Sequence, residues 1–275
     1  MADRSAIEWT DATWNPITGC SKVSPGCAYC YAETLSLRFG TSKKPWTPQN
    51  ARDNVRQHPD RLDQPLRWKR PRMIFVNSMS DLFHELVDEA FISSMWEVMA
   101  RAPQHTFQIL TKRPERMPEI VRRQVARHGV LPNVWLGTSI ETNRWVRRAD
   151  WLRETPAAIR FISAEPLLGS LDELDITGVD WLIAGGESNG PPRRALVSPP
   201  NGHGPEPTQL ALDWVRSLRD RCSQAGVAFF FKQWGGRTPK SGGRILDGRT
   251  WDEMPQAHSI TRRIEGPSKL ATSPS

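Results

Sequence analysis

The sequence predicts an α/β fold, a partial or near-complete parallel (βα) barrel of six to seven strands with an inserted loop region. Three observations carry this expectation. Short β-rich apolar runs recur from residue 73 onward, helical patterns lie between several of them, and each run gives way to polar residues at its carboxyl end.

The stretch Ile7 to Thr18 alternates enough to form a first extended segment that delivers the chain into a cysteine loop. From Ala28 the pattern turns helical, with Leu35, Leu37 and Phe39 as apolar positions and Gly40 suited to the left-handed stop. Residues 41–72 lose periodicity among Pro, Asn, Asp, Gln and basic residues, and read as an insertion over the barrel mouth. Trp46 and Trp68 within it suit stacking on bases and suit a structural excursion equally well.

After the insertion a regular beat begins. Strands are expected at 73–77, 106–110, 134–137, 159–162, 181–184 and 227–231, nearly continuous in apolar residues as strands covered on both faces are. Helices are expected at 88–100, 114–127, 143–153 and 208–224, the last with Thr208 as N-cap. Periodicity alone does not separate a barrel from an open doubly wound sheet. The strand ends favour the barrel: Asn77-Ser-Met-Ser-Asp81, Thr111-Lys-Arg113, Thr138-Ser-Ile-Glu141, Ser163-Ala-Glu165-Pro166, Gly185-Gly-Glu187-Ser188 and Lys232-Gln-Trp234. In a barrel such ends converge on one mouth, where reactive groups gather. The barrel is expected over residues 1–236, with 237–275 a partly disordered extension that is polar from about Pro255.

The polar opening and the lack of any long apolar run predict a cytoplasmic chain with no leader and no membrane segment. A formal net charge of +7, with Arg122-Arg123, Arg147-Arg148 and Arg193-Arg194 among its basic groups, points to nucleic acid as the large partner, although any single cluster is better read as a solvated helix face. Of 12 Trp residues, those in helical patterns, such as Trp96, Trp151 and Trp214, are expected to anchor the core.

The chemistry concentrates in Cys20, Cys27 and Cys30, spaced C-x6-C-x2-C. Gly19 and the Ser24-Pro25-Gly26 turn let the backbone curl until three sulfurs face one point, a set suited to a soft metal centre. A structural zinc site normally has four protein ligands, and a fourth here would be a His or Cys222. An iron–sulfur cluster held by three cysteines keeps one iron open. His84, His105 and His203 show no metal-ligand spacing.

Cys27-Ala-Tyr29-Cys30, with its aromatic before the last cysteine, resembles the radical S-adenosylmethionine (SAM) superfamily, although the first gap holds six residues where three are usual there. Trp14-Asn-Pro-Ile-Thr-Gly-Cys20, Asp81-Leu-Phe-His84, Leu110-Thr-Lys-Arg-Pro114, Gly185-Gly-Glu-Ser188 and Phe230-Phe-Lys-Gln-Trp-Gly235 are similar to a phage-associated bacterial family of uncharacterised proteins grouped with the photoproduct lyases. The resemblance implies a [4Fe-4S] cluster on Cys20, Cys27 and Cys30, and SAM as cofactor. It also implies reductive cleavage of SAM, an electron donor such as flavodoxin or ferredoxin, and repair or modification of nucleic acid. The strand-end groups Asn77, Ser78, Asp81, Lys112, Thr138, Glu141, Glu165, Glu187 and Lys232 would bind the cofactor or substrate. Asn77, Ser78 and Asp81 hold the place of the superfamily's amine-binding Gly-Gly-Glu, while Glu187 would face substrate or ribose. No catalytic side chain is singled out. The competing expectations are a non-catalytic nucleic-acid-binding module stapled by zinc or a cluster, and a barrel enzyme working through strand-end Glu and Lys without radicals.

Overall fold

Residues 5, 7–188, 190–191, 194, 196–198, 206–236 and 240–255 are described in a computed structural model of the chain. The amino-terminal third contains β1 (Ala12–Trp14), β2 (Ile17–Thr18), α1 (Tyr31–Arg38), α2 (Ala51–Asn54) and β3 (Arg56–Gln57). The regular part follows as β4 (Met73–Val76), α3 (Glu89–Arg101), β5 (Thr106–Thr111), α4 (Met117–His128), β6 (Val134–Ser139), α5 (Arg148–Glu154) and β7 (Ile159–Ala164). It ends with β8 (Trp181–Gly185), α6 (Gln209–Ala225) and β9 (Ala228–Gln233).

Seven strands form one sheet in the order β1-β4-β5-β6-β7-β8-β9, and every neighbouring pair is parallel. Among the described residues β1 and β9 do not pair, so the sheet curls into a half-barrel with an open seam. The outer edge of β9 is partly covered: Phe231 N–H donates to Trp251 O at 2.8 Å and Glu253 N–H to Phe229 O at 3.2 Å, giving backbone groups at a sheet edge the partners they require.

Side-chain alternation creates two apolar layers. Ile74, Val76, Phe107, Ile109, Leu136, Ile162, Leu182, Phe229 and Phe231 are buried against the helices. Phe75, Trp135, Phe161, Trp181, Ile183 and Phe230 fill the concave side with Trp9. Trp181 is the centre of that plug, with ring centroids of Trp9, Trp135, Phe161 and Phe230 at 6.0, 6.0, 5.6 and 6.1 Å. Trp9 precedes β1 and Trp181 lies in β8, so this contact ties the two ends of the open sheet. Each such aromatic pair adds about 0.5–1.5 kcal/mol beyond burial.

The expected helices are present, and Thr208 Oγ accepts from Ala211 N–H at 3.2 Å at the start of α6. The expectation for α1 is corrected. Leu35, Leu37 and Phe39 are 37, 40 and 71% exposed, whereas Ala32, Glu33 and Ser36 are buried. The helix docks through hydrogen bonding: Glu33 accepts from Trp46 N–H at 2.8 Å and pairs with Lys22 at 2.7 Å. Segment 41–72 packs beside β1 and the start of β5, since Trp14 Nε1 donates to Arg61 O at 2.8 Å and the His105 ring meets Pro65 O at 3.1 Å. Of its two indoles, Trp46 is buried, donates to Ser42 Oγ and lines a cavity at the strand ends, and Trp68 packs on His105 beneath Arg72. Among the described residues no helix is long and apolar enough to cross a membrane. Arg193, His203 and the tail after 255 lie outside the described residues.

Candidate functional site

A cavity of about 610 Å³ opens at the carboxyl ends of the strands, and Cys20, Cys27 and Cys30 all line it. Several contacts that hold the cysteine loop do not involve sulfur. Gly19 has φ +80°, its N–H donates to Met79 O at 3.0 Å, and a Cβ there would lie 2.0 Å from Asn54 O. Only glycine meets both the left-handed conformation and that approach. At Gly26 a Cβ would lie 2.3 Å from Glu141 Oε1. That carboxylate is itself fixed, accepting from Ser24 Oγ at 2.6 Å and from Arg148 Nη1 at 2.9 Å.

The three sulfurs have different surroundings. Arg113 Nη1 donates to Cys20 Sγ at 3.4 Å, while Cys27 Sγ is 3.8 Å from Ser24 Oγ. Cys30 precedes the first turn of α1. Burial pushes the Cys20 thiol up to about 12, with the Asp81 charge adding and Arg113 opposing. Burial also raises Cys30, against the pull of the Glu33 and Ala32 N–H groups at the helix start. The charge of Cys27 acts on both other thiols, which places the three within electrostatic reach of one another.

Among the described residues no three His, Cys, Asp or Glu side chains gather tightly enough to hold one metal ion. A polynuclear cluster asks for something different, one thiolate for each of three irons, and three soft sulfur donors on one cavity wall have the chemistry for it. Among the described residues, the candidates for a fourth zinc ligand have other partners or positions. Cys222 is buried in the helix-side core, and His84 Nε2 lies 2.9 Å from Ser21 Oγ while its Nδ1 accepts from Leu86 N–H.

Of the strand-end residues, Asn77, Ser78, Asp81, Lys112, Glu165, Glu187 and Lys232 line the cavity, whereas Thr138 and Glu141 do not. Thr138 is turned away and donates to Thr111 O at 3.0 Å, and Glu141 stands behind the cysteine loop. The neighbouring Ser139, part of the same strand-end segment but outside the expected cofactor-binding set, lines the cavity with a buried Oγ that has no hydrogen-bond partner. Counting in twos from Trp135 would have found it. Asn77 has φ 58°, its Oδ1 accepts from Ile17 N–H at 3.3 Å, and its buried Nδ2 is without a partner, as is Trp9 Nε1 on the same wall. Asp81 is saturated, accepting from Thr111 Oγ1, Phe83 N–H and Lys112 N–H at 2.6, 3.0 and 3.0 Å. Lys232 pairs with Glu165 at 2.5 Å, whereas among the described residues the Lys112 ammonium has no carboxylate partner.

A further residue outside the expected set closes the rim. Arg194 donates to both oxygens of Glu187 at 2.7 Å, donates to Pro25 O at 2.9 Å and lies 5.2 Å from the centre of the Tyr29 ring. The end of β8 is thereby joined to the cysteine loop that follows β1.

Fold and site together define a parallel α/β half-barrel protein with a thiol-bearing loop at its mouth. The chain belongs to the family described as Protein of unknown function (DUF5131), whose model matches residues 4–255. No curated protein matches it. Among solved structures it is similar to spore photoproduct lyase complexed with dinucleoside spore photoproduct, at 15% identity and a TM-score of 0.43. Two mutants of that lyase match at 14 and 15% identity, with the same TM-score. Each match covers 68% of this chain and 58% of the other, so the chain spans less than two thirds of the lyase's length.

Proposed function

We propose that the chain is a radical SAM enzyme that holds a [4Fe-4S] cluster on Cys20, Cys27 and Cys30 and acts on nucleic acid. The observation that carries this reading is a trio of sulfur donors on the wall of one cavity in which Asn77 Nδ2, Trp9 Nε1 and Ser139 Oγ are buried without partners. When bound, the cluster supplies the single electron that breaks the sulfonium bond of SAM.

The chain's own groups suit the cofactor's polar ends. Lys112 lines the cavity, has no carboxylate partner among the described residues and suits a carboxylate. Asn77 Nδ2 and Trp9 Nε1 are buried donors, and Ser139 Oγ can donate or accept; unpaired burial costs each about 1–3 kcal/mol, a cost relieved when a ligand supplies the partner. The Glu165–Lys232 pair lines the cavity and its polar groups suit ribose hydroxyls. The aromatic plug beneath excludes water from the floor.

Nucleic acid as the substrate rests on charge and on α1. Tyr29 and Tyr31 are exposed at the cavity, Phe39 is exposed at the far end of α1 with Arg38 5.7 Å from the centre of its ring, and the chain's formal net charge is +7. Exposed rings with adjacent cations form a surface on which unpaired bases stack. The deciding experiment is anaerobic reconstitution with iron and sulfide, then reduction in the presence of SAM. Iron and sulfide bound in equal amounts, together with 5′-deoxyadenosine, are expected. A Cys30→Ala chain that yields as much deoxyadenosine as the wild type would refute the assignment.

A further inference from the structure

We propose that Arg113 is a positioning residue that fixes the Cys20 sulfur and raises the reduction potential of the centre, an inference that rests on the three-cysteine reading above. Arg113 follows β5 and is only 3% exposed. A guanidinium is seldom buried without a full set of acceptors. Here Nη1 donates to Cys20 Sγ at 3.4 Å, Nη2 to Ser21 O and Oγ at 2.9 and 2.8 Å, and Nε to Glu85 Oε2 at 3.2 Å. Asp81 Oδ2 stands 3.5 Å from Nη1 and is locked by its own three donors, so the guanidinium is held in place.

The consequence is inequality among the sulfurs. Cys30 has the N–H groups of a helix start, Cys27 has a hydroxyl at 3.8 Å, and Cys20 has a charged donor. A hydrogen bond to a ligating thiolate draws electron density from it, and a fixed positive charge beside it favours the state that has gained an electron. Arg113 supplies both. The buried Asp81 carboxylate opposes it, as does Glu85 from the surface, where its side chain is 58% exposed.

The test compares wild type, Arg113→Gln, Arg113→Lys and Glu85→Gln after anaerobic reconstitution. Iron and sulfide per chain are measured first, and the optical and paramagnetic signals of the centre are then titrated against potential. The expected results are a more negative midpoint for Arg113→Gln with full iron content, partial return for Arg113→Lys, and a shift to less negative potential for Glu85→Gln. Identical midpoints in all four fully loaded proteins overturn the inference. Should Arg113→Gln fail to load, the exposed Glu85 variant decides alone, and an unmoved midpoint there overturns it equally. A wild-type chain that binds no sulfide removes the three-cysteine reading and this inference together, an outcome the first assay identifies by itself.

Discussion

Arg194 grips both carboxylate oxygens of Glu187 at 2.7 Å and rests against the ring of Tyr29. Because β1 and β9 do not pair, this bridge links the β8 end of the half-barrel to the loop that follows β1 at the mouth. Glu187 is nearly buried, so removing the guanidinium leaves a carboxylate without its partner. Arg194→Ala is expected to cost about 1–3 kcal/mol, discounted for the partial exposure of the arginine. Denaturant unfolding checks this, and equal midpoints for variant and wild type would show that the bridge carries no stability.

Gly26 and Glu141 make a second prediction. Gly26→Ala places a methyl group where the fixed Glu141 carboxylate stands, and overpacking of this kind costs about 1–3 kcal/mol. The loop should shift and retain less iron after reconstitution. Combining it with Glu141→Ser opens space and should recover part of the iron, measured per chain; no recovery would mean that the clash is not the cause.

His84 gives a pH dependence. Burial first, then the Arg113 charge, lowers the ring from 6.5 to about 4 in the folded chain. As pH falls through that interval the unfolded chain takes up a proton that the folded chain does not, so stability is lost on acidification. The gap corresponds to a loss of about 3 kcal/mol. Urea unfolding of wild type and His84→Gln between these pH values should show a steeper fall for the wild type, and parallel curves would count against the neutral buried ring.

Phe39 tests the nucleic-acid surface. Its ring is 71% exposed, so Phe39→Ala should leave the unfolding midpoint unchanged. Affinity for a single-stranded oligonucleotide, read by fluorescence anisotropy at fixed salt, should fall at least about fivefold, the scale of one lost stacking contact. Unaltered affinity in a double variant that also carries Tyr31→Ala would exclude α1 as the contact.

The sheet was legible because apolar runs and helical periods alternate cleanly, and the strand-end residues follow from that beat. Thr138 lies off the cavity because β6 continues past the expected end at Gly137 to Ser139, and the side chain facing the cavity changes with each residue. The orientation of α1 was not legible, because its buried face consists of Ala32, Glu33 and Ser36, which no hydropathy pattern marks as core. Arg194 was visible only as part of a basic pair. Its bond to Glu187 spans a loop whose path the local pattern does not define.

Gly19 against Asn54 and Ser24 on Glu141 order much of the loop by backbone shape and oxygen chemistry. A loop ordered in this way has its shape before any metal arrives, so on the reading proposed above thiol-free versions should serve as intact scaffolds.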